Sequence, residues 1–128
     1  MTGTRRAVPE IPGYKIDAAY PPHTIMMQLA AGGATKADGT NAAIQDLLLG
    51  ALLQRTNAAD ELATVRLRNF AMTETGIAAA PITDMTVPLT LNANGQLEPG
   101  GAGAKVAMPM ELASVAGEFI QFRWLPIV

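Results

Sequence analysis

The chain has 128 residues and a mass of 13.4 kDa, so one domain is expected and a two-domain enzyme with an interdomain cleft is not. Hydrophobic residues make up 49% and charged residues 16%, a balance typical of a folded chain rather than a disordered one. The net charge of −2 gives no global positive field for nucleic acid, and the absence of cysteine excludes disulfides, thiolate metal sites and thiol catalysis.

The first 24 residues are expected to form an extended arm. Pro9, Pro12, Pro21 and Pro22 each fix their own φ and push the preceding residue toward extended conformations. The arm is either a disordered tail or a strand laid on another subunit, and apolar anchors favour the strand: Ile11, Tyr14, Ile16 and Tyr20. No apolar run is long enough for a signal peptide or a membrane helix, so no membrane association is expected.

A short strand within 23–31, ended by Gly32-Gly33, is followed by a polar loop and then by a helix over about 41–56. The helix is predicted from apolar residues at helical spacing from Ile44 to Leu52. Leu49 and Leu53 fall outside that stripe, so they either pack under another part of the same chain or form a subunit contact. Gly50 weakens a helix by about 1 kcal/mol and suggests a close approach by another backbone.

After this segment the hydrophobic period changes to 2, which predicts strands. Val65 and Leu67 alternate with two arginines, and the stretch 85–92 alternates in the same way, with Pro88 favouring an edge. Asn94-Gly95 predicts a hairpin turn. The last strand is predicted to place one set of apolar side chains on one face: Ile120, Phe122 and Trp124.

No motif for catalysis or metal binding is evident. His23 has no sequence-local nucleophile or orienting partner, and the carboxylates are scattered singly. The glycine run at 100–103 lacks the Lys-Ser/Thr of a phosphate-binding loop, and Arg66 with Arg68 is too small a basic group for a nucleic-acid patch. No catalytic residue, metal or cofactor is therefore assigned.

The C-terminal third resembles head decoration (capsid cement) proteins of tailed phages. The matching pieces are Asn94-Gly95, Val106-Ala107, Met110-Glu111-Leu112-Ala113 and Gly117-Glu118-Phe119-Ile120. The resemblance implies a non-enzymatic virion protein that binds the outside of an assembled shell, often near threefold positions, with an arm reaching across capsomer joints.

The sequence thus predicts an α+β, mostly β fold: a small sheet or barrel with one amphipathic helix, an arm at 1–24 and a single domain at 25–128. The expected function is a structural protein on the capsid exterior, made in the host cytoplasm. Its expected partners are the major capsid protein and further copies of itself, with a trimer favoured. The residues expected at the contacts are Ile11, Tyr14, Ile16, Tyr20, Leu49 and Leu53.

Two alternatives stay open at this stage. One is a tail or neck subunit of the virion. The other is a small enzyme or carbohydrate-binding module on a β-scaffold, which would need a concave cluster of carboxylates or aromatic rings. The chain has only one tryptophan and two tyrosines as stacking platforms.

Overall fold

The computed structural model describes residues 10–126, and its first half is a closed five-stranded barrel. Around the barrel the strands follow the order β1-β3-β2-β4-β5, in which β1 and β3 are parallel and the other pairs are antiparallel. A four-residue helical turn, α1, leads directly into β4. The bounds are β1 Glu10–Ile16, β2 Ile25–Gln28, β3 Ala34–Lys36, α1 Ile44–Leu47, β4 Leu48–Leu52 and β5 Glu61–Leu67.

The second half is an open antiparallel sheet of five strands in the order β6-β10-β9-β7-β8. One face of this sheet packs on the outside of the barrel. The bounds are β6 Thr73–Ile77, β7 Leu89–Leu91, β8 Leu97–Pro99, β9 Lys105–Pro109 and β10 Phe119–Trp124.

Two apolar cores result from this arrangement. The smaller one fills the barrel and consists of Ile16, Met26, Ala34, Leu52, Ala63 and Val65. The larger one lies between the layers, where Ile25, Ile44, Leu48 and Ala51 of the barrel half meet the inner face of the sheet, including Phe122 and Trp124. The rings of Phe122 and Trp124, both on β10, meet edge to face at 4.9 Å within this core.

The helix expected over 41–56 is wrong beyond its first turn. From Leu48 to Leu52 the chain is strand β4, paired with β2 on one side and β5 on the other. This strand is buried on both faces, since Leu48 belongs to the inter-layer core while Leu52 belongs to the barrel interior. A strand covered on both faces has a continuous apolar sequence, which imitates the apolar side of a helix.

The interpretation of Gly50 is confirmed although the helix is not. A Cβ at Gly50 would overlap the backbone carbonyl of Arg66 on the neighbouring strand. The glycine is therefore required by the close approach of β4 and β5 during closure of the barrel.

Several strand predictions are confirmed. The segment 23–31 contains β2, the alternating Val65 region is β5, and Asn94-Gly95 turns the chain between β7 and β8 with Gly95 at φ 70°. In β10, Ile120, Phe122 and Trp124 are all buried on the inner face, as expected. The edge role of Pro88 is wrong, because Pro88 precedes β7 and β7 lies inside the sheet.

Part of the expected arm belongs to the barrel. Glu10–Ile16 form β1, which pairs with β5 over most of its length and with β3 at Ile16. Residues 1–9 of the expected arm lie outside the described residues. The one helical segment within residues 10–126 is far too short to cross a membrane.

Candidate partner-binding surface

Two loops meet at one end of the second sheet. The first, 78–88, connects β6 to β7, and the second, 110–118, connects β9 to β10. Backbone hydrogen bonds tie them together: Ile82 and Ala113 exchange two, at 2.9 and 3.0 Å, and Gly117 donates one to the Ala78 carbonyl at 2.7 Å. The loops therefore form one continuous end of the sheet.

This end exposes large apolar side chains that the described chain covers only in part. We call them the end surface, and each is between 47% and 58% exposed: Met85, Met110, Leu112, Val115 and Phe119. Single exposed apolar residues are common on proteins, but five on two joined loops and the adjoining strand end suggest an interaction site.

Three carboxylates on these loops are used to fix the loop backbone. Asp84 accepts hydrogen bonds from the Thr86 backbone and hydroxyl at 2.9 and 2.6 Å, which lowers its pKa. Glu118 accepts from the backbone N–H groups of Ser114 and Val115, both at 3.1 Å. Glu111 accepts from the Gln121 backbone at 2.6 Å. The end surface is thus held on loops whose backbone is fixed by their own acidic side chains.

His23 contacts the end surface from the barrel side. Its ring meets that of Phe119 edge to face, with centroids 4.8 Å apart, and its backbone has a φ of 73°. Burial lowers the pKa of His23, and the nearby positive charge of Arg66 lowers it further. The imidazole is therefore neutral at pH 7, and Phe119 packs on it as on an ordinary aromatic ring.

Charged residues also join the two layers. Arg66 of β5 donates from Nη1 to Oε2 of the buried Glu74 on β6 at 3.1 Å, and Nε of Arg66 lies 3.5 Å from Oε2 of Glu10 on β1. Burial raises the pKa of Glu74, and Arg66 opposes that rise. Arg66 is thus a structural cation between two carboxylates.

The residues expected from the sequence to contact partners lie mostly on the barrel. Ile16 is fully buried in its interior, and Tyr14, Tyr20 and Leu49 are half-buried against the same core. The Tyr20 hydroxyl donates to Asp17 at 2.7 Å, which anchors it within its own chain. Ile11 and Leu53 are half-buried on β1 and just after β4.

The structure does not bring those six residues and the end surface together. Sequence reasoning missed the end surface because exposure in a loop has no periodic signal. One signal was present: Phe119 lies on the face of β10 opposite to the buried Ile120.

A groove of about 570 Å³ lies where the 39–44 segment faces the β7–β8 hairpin and the glycine-rich loop. It is lined largely by small side chains and backbone, and Glu98 is the one charged residue of its lining. Within residues 10–126, no three His, Asp or Glu side chains are grouped so that they could hold a metal ion. The groove therefore has no acid–base pair around which a reaction could be argued.

The fold defines a class of small, mostly β domains in which a closed barrel packs against an open sheet. No protein-family model matches the sequence, and no curated protein matches it. Among solved structures, the chain is similar in fold to the head fiber gp8.5 N base of bacteriophage phi29, with a TM-score of 0.66. The similarity covers 91% of this chain and 92% of that one, at 13% sequence identity.

Proposed function

We propose that this chain is a structural protein of a tailed-phage virion that binds the outer surface of the capsid and stabilises it across capsomer joints. The observation that carries the proposal is the likeness to the phi29 head fiber N base, because it spans nearly the whole of both chains. At 13% identity the likeness concerns the fold, so the function needs independent support.

The first support is the resemblance of the C-terminal third to capsid cement proteins. Its motif residues fall at structurally defined places: Asn94-Gly95 turns the β7–β8 hairpin, and Met110–Ala113 with Gly117–Ile120 frame the loop of the end surface. Three of the motif residues, Met110, Leu112 and Phe119, belong to the end surface, whereas Val106 and Ala107 are buried and Asn94-Gly95 lies in a different turn.

The second support is that a packed barrel and an exposed apolar surface occur in the same small chain. A structural protein on a shell needs a scaffold that resists deformation and a surface that adheres, rather than a concave site for chemistry. The barrel with its inter-layer core is such a scaffold, and the end surface is such an adhesive region. The proposed partner is the major capsid protein, with the chain arranged as a homo-oligomer, a trimer being favoured.

Co-sedimentation with capsid shells tests this function. Shells from the same source, stripped of accessory proteins, are mixed with purified chain in compact and expanded forms, and bound copies per shell are counted. We expect saturable binding at a fixed ratio to the major shell subunit. Failure to bind either form would exclude the capsid role and favour a tail or neck position.

A further inference from the structure

The end surface has a charge pattern as well as an apolar centre. Loops 78–88 and 110–118 contain Asp84, Glu111 and Glu118 but no lysine or arginine. The nearest basic residues along the two flanking strands are Lys105 and Arg123, which lie toward the other end of the sheet, since Arg123 pairs with Thr73 and Phe119 with Ile77. Arg66 of the barrel lies near His23, which packs on Phe119, but its charge is paired with Glu74 and Glu10. The two loops that carry the apolar side chains therefore contribute only negative charges, which we call the acidic border.

From this pattern, and resting on the capsid role proposed above, we propose that the end surface docks onto an apolar site of the shell that is bordered by lysine or arginine side chains. An apolar centre supplies the burial energy of a protein interface, while complementary border charges steer encounter and fix the register. A partner with an acidic border would place like charges opposite Asp84, Glu111 and Glu118.

The geometry favours docking without rearrangement. The two loops are joined by the paired hydrogen bonds of Ile82 and Ala113, and their carboxylates cap backbone N–H groups. A surface already ordered before binding loses less conformational entropy when a partner covers it. We therefore expect the docked loops to keep their unbound backbone conformation.

A second copy of the chain is a poorer occupant in a symmetric arrangement. An isologous contact would place this surface against itself, so that both acidic borders would meet. A trimer of the kind proposed above would use a heterologous contact, in which this surface meets a different face of the next copy, and the sedimentation measurement below tests that occupant. A basic-bordered site on the shell avoids the repulsion of the isologous contact, and we take the shell as the occupant.

The apolar part is tested with a matched pair of substitutions. Leu112→Ser changes the end surface, and Leu62→Ser changes an equally exposed leucine on the barrel, at 57% and 65% exposure. In the shell co-sedimentation assay we expect about tenfold weaker binding for Leu112→Ser, the size of a residue at the centre of an interface, and unchanged binding for Leu62→Ser. Equal affinities for the two variants would overturn the proposal.

The acidic border is tested with a control pair of carboxylates that make matching hydrogen bonds elsewhere in the chain. Asp38 caps Thr40 by the same two hydrogen bonds with which Asp84 caps Thr86, and Glu61 caps the Asn57 backbone as Glu118 caps its loop. The variant Asp84→Asn/Glu118→Gln and its control Asp38→Asn/Glu61→Gln both remove two charges and retain the accepting oxygens. Circular dichroism and thermal unfolding check that each variant remains folded.

We expect the end-surface charge variant to bind shells several-fold more weakly than the control at about 0.05 M salt. The difference should shrink at about 1 M salt, where the screening length falls to about 3 Å. Binding as tight as that of the control at low salt would overturn the basic border.

The outcomes separate this inference from the function on which it rests. If the unsubstituted chain fails to bind shells, both are wrong. If it binds but the matched variants do not differ, only the docking surface is wrong. If Leu112→Ser instead lowers the oligomer mass measured by sedimentation equilibrium, a second copy of the chain covers the surface and the shell is not its occupant.

Discussion

The barrel and the second sheet contain five strands each, but they differ in how they are closed. In the barrel every strand has a neighbour on both sides, although β1 meets β3 only at Ile16. The second sheet is covered on its inner face only and has two edge strands, β6 and β8. Of the eight large apolar side chains exposed in residues 10–126, five form the end surface of this sheet, whereas one, Leu62, lies on a barrel strand.

The difference shows how one small chain combines strength with adhesion. In the closed barrel the strands pair with one another around a common apolar interior, and the inter-layer core fixes the sheet to the barrel. The loops at the end of the sheet can then present apolar side chains while the scaffold stays folded. The comparison predicts that core substitutions in either layer affect folding, while substitutions on the end surface affect binding.

The largest expected effect comes from the core between the layers. Phe122→Ala removes a fully buried ring that packs on Trp124, and we expect a loss of about 3–5 kcal/mol in the free energy of unfolding. Leu52→Ala in the barrel interior should cost about 2–5 kcal/mol. Denaturant unfolding followed by Trp124 fluorescence and far-ultraviolet circular dichroism should give coincident transitions for both variants. Separate transitions would show that the layers fold independently.

A smaller but still clear loss is expected for Gly50→Ala. The added methyl would overlap the Arg66 carbonyl, so β4 and β5 must separate where the barrel closes. We expect a loss clearly larger than the roughly 1–2 kcal/mol that a left-handed φ alone costs alanine. Gly100→Ala is the control, because its φ of 74° is strained for alanine but the space around it is open. A loss at Gly100 equal to that at Gly50 would refute the close-approach explanation.

The ion pair of Arg66 and Glu74 between the layers predicts that the free energy of unfolding depends on pH. Burial raises the folded-state pKa of Glu74 above its ordinary value of 4.5, so the folded chain binds this proton more tightly than the unfolded chain. The stability contributed by this group is therefore present below pH 4.5 and decreases as pH rises through the raised pKa. Glu74→Gln lacks this decrease.

The measurement is the difference in unfolding free energy between Glu74→Gln and the unsubstituted chain from about pH 4 to about pH 8. We expect the difference to shift in favour of the variant as pH rises. A difference that stays constant, or that shifts in favour of the unsubstituted chain, would contradict the assignment of Glu74 as a buried acid with a raised pKa.

The smallest effects on stability are expected at the exposed leucines. Leu112→Ser and Leu62→Ser should each change the free energy of unfolding by no more than about 0.5 kcal/mol, because neither side chain belongs to a core. Calorimetric or denaturant unfolding checks both. A large loss for Leu112→Ser would mean that the end surface supports the fold.

The sequence predicted strands best where one face is buried and the other is not. β5 and β10 alternate in the expected way, and Asn94-Gly95 supplies the φ that the hairpin turn needs. β4 was misread because it is buried on both faces, and β6 was not recognised because its sequence, TETGI, includes the buried Glu74. Neither the inter-layer core nor the partner of a buried charge can be read from local periodicity.

The residues expected to contact partners also show that local sequence does not reveal which part of the fold an apolar side chain packs on. Apolar residues in a proline-spaced segment suggested an arm for a partner, yet Ile16 fills the chain's own barrel. Ile16→Ser is accordingly expected to damage the fold, which makes it unsuitable for testing a contact. The motif at Met110–Ala113 was recognised from the sequence, but its exposure depends on the loop that it forms in three dimensions.

The most direct measurement for the account is an electron cryomicroscopy reconstruction of capsid shells saturated with the chain, compared with stripped shells. We expect added density on the outer surface at a fixed lattice position, into which the barrel and sheet fit, with loops 78–88 and 110–118 facing the shell. Shells without added density, under conditions where the chain is folded and in excess, would contradict the capsid role.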